Sequence, residues 1–282
     1  MTVVSTDTLL SELRSRSGRD AARASTDDDV FDGVRPRLLV EPSTAAETAE
    51  ILGWASSEGL KVLVVGGGTK LAWGAPSGPV DLLLSTSRLR TVIDHRHGDL
   101  TTTVESGTPL SLVNKTLTGQ RQWLPWDPPW ADRATIGGIV ATNDSGPRRH
   151  GYGTARDSII GLTIARIDGA VAKAGGIVVK NVAGYDLSRL FTGSFGCIGV
   201  IITATFKLAP LAPASRTVEF SLDSLDASGE VVSDLSTSSL TPTALELVST
   251  ATSTQLLIRF ESVEEAAAQQ ATDACNLLGA RG

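Results

Sequence analysis

The strongest chemical signal in the chain is a strand that runs into three consecutive glycines, Val64-Val65-Gly66-Gly67-Gly68-Thr69-Lys70. Glycine has no Cβ, so backbone at such a point approaches a ligand closely. Successive N–H groups in such a turn form a concavity for anions, and a diphosphate suits it. Two common phosphate loops are absent. The dinucleotide fingerprint G-x-G-x-x-G fails because Leu71 stands where its last glycine belongs, and the Walker loop fails because the chain contains no Gly-Lys pair. On these residues alone, a tight strand-to-loop turn explains the glycines as well as a binding loop does.

A second cluster favours binding. Ala134-Thr135-Ile136-Gly137-Gly138 and Asn143-Asp144-Ser145-Gly146 lie close together in a stretch, 122–153, crowded with Trp, Pro and Gly. They offer amides and hydroxyls that hold phosphate oxygens and ribose or ribitol hydroxyls without burying a counter-charge. A loop of that length inside a compact domain is usually functional. The remaining reactive residues read as bland. His95 and His97 flank a charged turn and are expected to face solvent, too few for a metal. His150 reads as a surface residue. Cys197, in FGCIGV, reads as buried and inert, and Cys275 has no basic neighbour to activate it.

The elements that must position these residues follow from patterning. A helix over 8–16 and an acidic connector read as a solvated lead-in, followed by a strand over 37–40. Thr44 and Glu47 form a capping box. The helix they open has one apolar face (Ala45, Ala49, Leu52, Ala55), and Gly59 stops it. Strand 61–65 then enters the glycines. Three short strands lie between 80 and 105, a helix runs from Pro109 to Leu117, and a strand pair turns at Asp168-Gly169. After Pro210 serine and threonine dominate, and the order reads β-α-β-β-α, a split β-α-β (ferredoxin-like) unit one strand short.

The 282 residues suggest about two domains. An apolar share of 41% and a charged share of 20% describe a globular chain. Net charge of 25 − 31 = −6 supplies no basic field for nucleic acid. Two cysteines suit a reducing compartment. No secretory lead is expected from the first twenty residues, and no apolar run of about 18 residues is present to span a membrane.

The motifs GGGTKL, LPWDP, ATIGG, ATNDSG, RHGYGTARDSIIGL, VVKNVAGYDLSRL and GSFGCIGVIITATFKL follow one another within about residues 35–210. In that order they resemble the FAD-binding (PCMH-type) module of the vanillyl-alcohol oxidase superfamily, most nearly the FAD-binding E subunits of glycolate oxidases. The resemblance implies an α+β chain. Residues 1–33 would be an N-terminal helix and connector, 34–210 a two-subdomain FAD-binding PCMH-type domain, and 211–282 an incomplete, truncated ferredoxin-like cap. It also implies residue roles. Gly66, Gly67, Gly68 and Thr69 would cradle the FAD diphosphate, and Thr135, Ile136, Gly137 and Gly138 would close over it. Thr142, Ser145 and Gly146 would line the flavin or its phosphates, and Gly199, Val200 and Ile201 would run beside the adenosine. Thr69 stands in the region where some relatives attach the flavin to a histidine, so FAD is expected to be non-covalent.

No catalytic residue is assigned. Lys180 could stabilise a reduced flavin, but an ion pair with Asp186 is the preferred reading. Arg156-Asp157 also reads as a structural pair, and Tyr185-Asp186-Leu187 as a packed turn with Asn181 and Arg189 nearby. Trp123, Trp126 and Trp130 read as core or interface more readily than as a flavin wall. Residues 211–282 hold no histidine, so no histidine cluster can form there over the flavin. The resemblance therefore implies an FAD subunit of a glycolate-oxidase-type complex. It would support oxidation of a small 2-hydroxy acid and work beside a second flavin subunit and an iron–sulfur subunit. It would be cytoplasmic, or peripheral at the inner face of the membrane through its partners. The alternatives are a self-contained 2-hydroxyacid (D-lactate-like) dehydrogenase and a non-catalytic flavin-binding scaffold.

Overall fold

The computed structural model describes residues 5–31, 33–73, 78–177 and 186–279. In chain order its first elements are α1 (Thr6–Ser17), β1 (Ala22–Ala24), β2 (Leu38–Val40), α2 (Ala45–Ser57), β3 (Val62–Val65) and β4 (Leu82–Ser85). There follow β5 (Val92–Arg96), β6 (Thr101–Glu105), α3 (Leu110–Leu117), β7 (Gln122–Trp123), α4 (Ile136–Thr142), α5 (Arg149–Tyr152) and α6 (Ala155–Ser158). Next come β8 (Ile159–Ala165), β9 (Val171–Gly175), α7 (Leu187–Phe191), β10 (Val200–Lys207) and β11 (Ala209–Pro210). The last elements are β12 (Ala214–Leu222), α8 (Ser228–Thr237), β13 (Ala244–Ser249), β14 (Thr254–Ser262) and α9 (Glu264–Gly279). Two compact units result. One holds 1–124, 128–144 and 155–209, and the other 125–127, 145–154 and 210–282.

The first unit contains two sheets. In β1-β2-β4-β3 two pairings, β2–β4 and β4–β3, are parallel, and β1 joins β2 antiparallel at the edge. In β5-β6-β10-β8-β9 every pair is antiparallel. Helix α2 forms where the capping residues allow it. Thr44 accepts from Glu47 N–H at 3.1 Å, and the Glu47 carboxylate reaches back to Ser43 N–H at 2.7 Å. Its apolar face (Ile51, Leu52, Ala55) is buried against the first sheet. A Cβ on Gly53 would stand 3.1 Å from Gly169 Cα, so the helix lies directly on the β8–β9 turn. The lead-in is not solvated as expected. Leu9 and Leu13 of α1 and Ala22 of β1 are buried in the same core, because β1 pairs with β2 and gives α1 an apolar surface to cover.

The second unit places β12-β14-β13 in one antiparallel sheet. Strand β14 lies between its two predecessors, the order that a split β-α-β unit requires. Alternate residues Leu256, Ile258 and Phe260 turn one face of β14 into a core closed by Val231 and Leu235 of α8 and Ala274 and Leu278 of α9. The chain is thus of mixed α+β class. Among the described residues, no helix is long and apolar enough to cross a membrane.

Candidate functional site

Strand β3 delivers the glycine loop into the first unit's main cavity. The cavity has a volume of about 420 Å³, within the range of small-molecule sites. The three glycines are there for different reasons. A Cβ on Gly66 would overlap Thr135 Oγ1, and one on Gly67 would overlap the Arg133 carbonyl. Both glycines therefore let the loop lie flat on segment 133–135. Gly68 turns the chain at φ +67°, and a Cβ there would meet only Leu71 Cδ1 at 3.7 Å, so the space beside it is open. Among the described residues, nothing accepts a hydrogen bond from the N–H groups of Gly66, Gly67, Gly68 or Thr69. Four consecutive donors are thus left for something in the cavity.

The other walls come from α4, from the turn before it and from the start of β10. Ser106 lines the cavity, is 1% exposed, and its Oγ has no partner among the described residues. Thr135 caps α4, accepting weakly from Gly138 N–H at 3.4 Å. The amides of Ile136 and Gly137 are already spent on Thr108 O (2.9 Å) and Ser106 O (2.7 Å). This face therefore offers shape and hydroxyls more than free amides. Strand β10 pairs with β8 from Val200 onward but with β6 only from Thr203. Gly199, Val200 and Ile201 thus present a backbone edge without a strand neighbour on the β6 side, and all three line the cavity.

One charge pair crosses the site. Helix α4 ends at Asn143 in the left-handed conformation (φ 51°). Asn143 N–H reaches Val140 O at 3.2 Å and Asp144 N–H reaches Ile139 O at 3.2 Å, the two bonds of a Schellman closure. That closure fixes Asp144, whose Oδ2 lies 2.7 Å from Lys70 Nζ, with side chains only 4% and 6% exposed. Lys70 Nζ also donates to Thr69 Oγ1 at 2.9 Å. Among the described lining residues Lys70 is the sole charged side chain, and Asp144, which does not line the cavity, matches its charge.

Of the residues expected from sequence, the cavity gathers Gly66, Gly67, Gly68, Thr69, Thr135, Gly137, Gly138, Thr142, Gly199, Val200 and Ile201. Ile136 is fully buried as a core residue of α4 and does not line it. Ser145 and Gly146 belong to the second unit, where they line a separate open hollow with Pro147, Arg149, His150 and Leu245–Leu247. Cys197, expected to be buried, is exposed and lines the cavity wall, because it sits in the turn before β10 rather than in the strand. His95 is half-buried and bonded to Gln122 at 2.9 Å, while His97 is exposed as expected. No histidine lines the cavity among the described residues, and no metal-binding cluster occurs there. Trp123 and Trp126 are buried and Trp130 is exposed, and none of the three lines the cavity. Lys180, Asn181 and Tyr185 lie outside the described residues, while Asp186 caps α7 and pairs with Arg189 at 3.3 Å. Sequence reasoning assigned no role to Lys70, Asp144 or Ser106. No local pattern signals the pair, since Lys70 in GGGTKL and Asp144 in ATNDSG meet only in the fold.

The second unit contains its own polar knot. Arg148 Nη2 lies 3.0 Å from Glu261 Oε1, and Tyr152 also bonds Glu261. Burial, then the charge and hydrogen bond of Glu261, push the Tyr152 phenol up to about 12.

A family model described as "FAD binding domain" matches residues 36–185. Glycolate oxidase subunit GlcD of Bacillus subtilis (strain 168) is 30% identical over 76% of this chain and 45% of its own length. Glycolate oxidase subunit GlcE of Escherichia coli (strain K12) is 34% identical over 69% of this chain and 55% of its own. The chain spans about half the length of these curated relatives. A solved structure titled alkyldihydroxyacetonephosphate synthase superposes with a TM-score of 0.82 at 16% identity, covering 98% of this chain and 59% of that one.

Proposed function

The chain belongs to the FAD-binding-domain family, and from that premise we propose that its first unit holds FAD non-covalently in the cavity beside β3, for the oxidation of a small 2-hydroxy acid. The observation that carries this reading is the run of four amides at Gly66–Thr69 that have no acceptor among the described residues, walled on the far side by the Ser106 hydroxyl, which likewise has no partner among them. Hydrogen bonds to a charged group are worth about 1.5–3 kcal/mol each. Four donors that would otherwise face an apolar-lined space give an anion a strong reason to sit there. When bound, FAD supplies a flavin ring that takes up a hydride equivalent. The chain's own part is to bind and orient. The loop amides and the Thr69 hydroxyl hold the diphosphate, and Thr135, Gly137, Gly138 and Thr142 shape the opposite wall. The open backbone edge of Gly199–Ile201 receives the adenine. Ile136 supports this wall from the core. Ser145 and Gly146 are given no part in this cavity, since they line a separate hollow of the second unit. The absence of a histidine from the described lining supports non-covalent attachment.

The substrate class and the setting rest on the relatives. Two glycolate oxidase subunits share this chain's FAD module, so the chain is read as one subunit of such a complex, working with a second flavin subunit and an iron–sulfur subunit. The test uses the purified chain. Acid precipitation after loading with FAD should leave all the flavin in the supernatant. Anaerobic glycolate should bleach the bound flavin only when the partner subunits are added. Flavin retained in the pellet contradicts non-covalent binding. Bleaching of the isolated chain contradicts the subunit role, and a chain that takes up no FAD contradicts the reading as a whole.

A further inference from the structure

Lysine carries three donor hydrogens and no acceptor. At 2.9 Å from Thr69 Oγ1, Lys70 must donate, and the threonine oxygen must accept. The hydroxyl's own proton is therefore turned away from Lys70, and among the described residues no acceptor takes it. Lys70 cannot swing away readily, because Asp144 Oδ2 holds it at 2.7 Å in a pair almost wholly shielded from water. Asp144 in turn is fixed by the Schellman closure of α4. The chain of constraint runs from the end of α4 through Asp144 and Lys70 to the hydroxyl of Thr69, which lines the cavity.

We infer that Lys70 and Asp144 are positioning residues that aim the Thr69 hydroxyl proton at an anionic oxygen of the bound cofactor's diphosphate, rather than a charge that attracts it. The inference rests on the FAD reading above and adds to it a residue set that discriminates the phosphate-bearing flavin from the bare one. Two features favour aiming over attraction. The lysine charge is already answered by the Asp144 carboxylate in a close ion pair. A buried ion pair is also a poor stability device compared with apolar side chains of similar volume, so its presence at this site is better explained by geometry.

The experiment is a double-mutant cycle on the full chain, with FAD and riboflavin as paired probes. Riboflavin keeps the ring and ribityl chain but has no phosphate. The pair is replaced whole, Lys70→Met with Asp144→Leu, so that no lone charge is left buried, and is combined with Thr69→Val. The expected result is a loss of FAD affinity of about ten- to a hundredfold for the pair replacement, the worth of one hydrogen bond to a charged group. Riboflavin affinity should stay within about twofold, since the bond lost is to phosphate. Thr69→Val should lose the same amount, and adding it to the pair replacement should cost nothing more, because both remove one bond. Thr69→Ser should restore FAD binding. Equal losses for FAD and riboflavin, additive losses, or undiminished FAD affinity would overturn the inference. If the pair replacement does not fold, Thr69→Val alone decides, because unchanged FAD affinity there removes the donor that the pair is held to aim. A wild-type chain that binds no FAD fails the cofactor reading itself, whereas wild-type binding with an unaffected pair variant fails only this inference.

Discussion

Replacing Gly68 by valine separates folding from binding. Gly68 sits at φ +67°, where an L-residue pays about 1–2 kcal/mol, and a β-branched one pays at the upper end. Its neighbourhood is otherwise permissive, since a Cβ would meet only Leu71 Cδ1 at 3.7 Å. The variant should therefore fold, with a melting temperature lower by several degrees, about 2–4 °C per kcal/mol for a chain of this size. Binding should respond differently, because the added isopropyl group stands in the open space beside the loop amides. If it denies the diphosphate two of those donors, the loss is about 3–6 kcal/mol, or two to four orders of magnitude in affinity. The comparison variant is Gly67→Ala, whose Cβ would overlap the Arg133 carbonyl and force the loop off segment 133–135. It should lose stability and FAD together. Titration by flavin fluorescence, alongside thermal melts, reads both quantities. A Gly68→Val chain that melts slightly lower and binds FAD as tightly as wild type would refute the placement of the diphosphate at this turn.

Three further outcomes follow from other parts of the structure. The Asp29 carboxyl is held well below its ordinary value, first by the Arg23 hydrogen bond and then by Thr26, against the opposing effect of burial. Its contribution is therefore complete above the unfolded value of about 3.9 and lost as pH falls toward the folded one. Asp29→Asn should flatten the acid limb of a stability–pH curve below pH ~5, and an unchanged limb would contradict that. In a Tyr185→Phe background, Tyr152 is the sole phenol, and its ultraviolet titration should centre near 12. Because that value is raised, its stabilising effect is present below about pH 10 and disappears as pH rises through the folded value, and a midpoint near 10 would contradict the burial of the phenol and its Glu261 contact together. Finally, a Cβ on Gly151 would approach Thr243 Cα to 2.7 Å inside the second unit. Gly151→Ala should cost about 1–3 kcal/mol by overpacking, with FAD affinity retained, and calorimetry showing no loss would contradict that packing.

The α+β alternation was legible because it rests on local periodicity. The strand over 61–65, the Thr44 cap and the turn at Asp168-Gly169 each need only neighbours in sequence. Helix α4 was hidden inside an apparent long loop because two of its seven residues are glycines, which oppose helix. Burial of Ile136, Ile139 and Val140 and the Thr135 cap outweigh that local preference. The same limit applies to the site. The glycine loop announced itself, but Gly66 and Gly67 turned out to serve contact with residues 133–135, a pairing no local pattern reveals. The Lys70–Asp144 pair likewise joins segments that only the fold brings together. Cys197 was misplaced because an apolar run was read as buried, whereas the residue sits in the turn before β10, which begins only at Val200.

The most direct test of the account is amide hydrogen exchange on the full chain with and without FAD, read residue by residue. The N–H groups of Gly66, Gly67, Gly68 and Thr69 have no acceptor among the described residues, so they should exchange quickly in the free protein. FAD should slow them strongly while leaving Ile136 and Gly137, already bonded to Thr108 and Ser106, almost unchanged. FAD binding that protects residues elsewhere and leaves these four amides exchanging at their free rate would contradict the claim that they hold the cofactor.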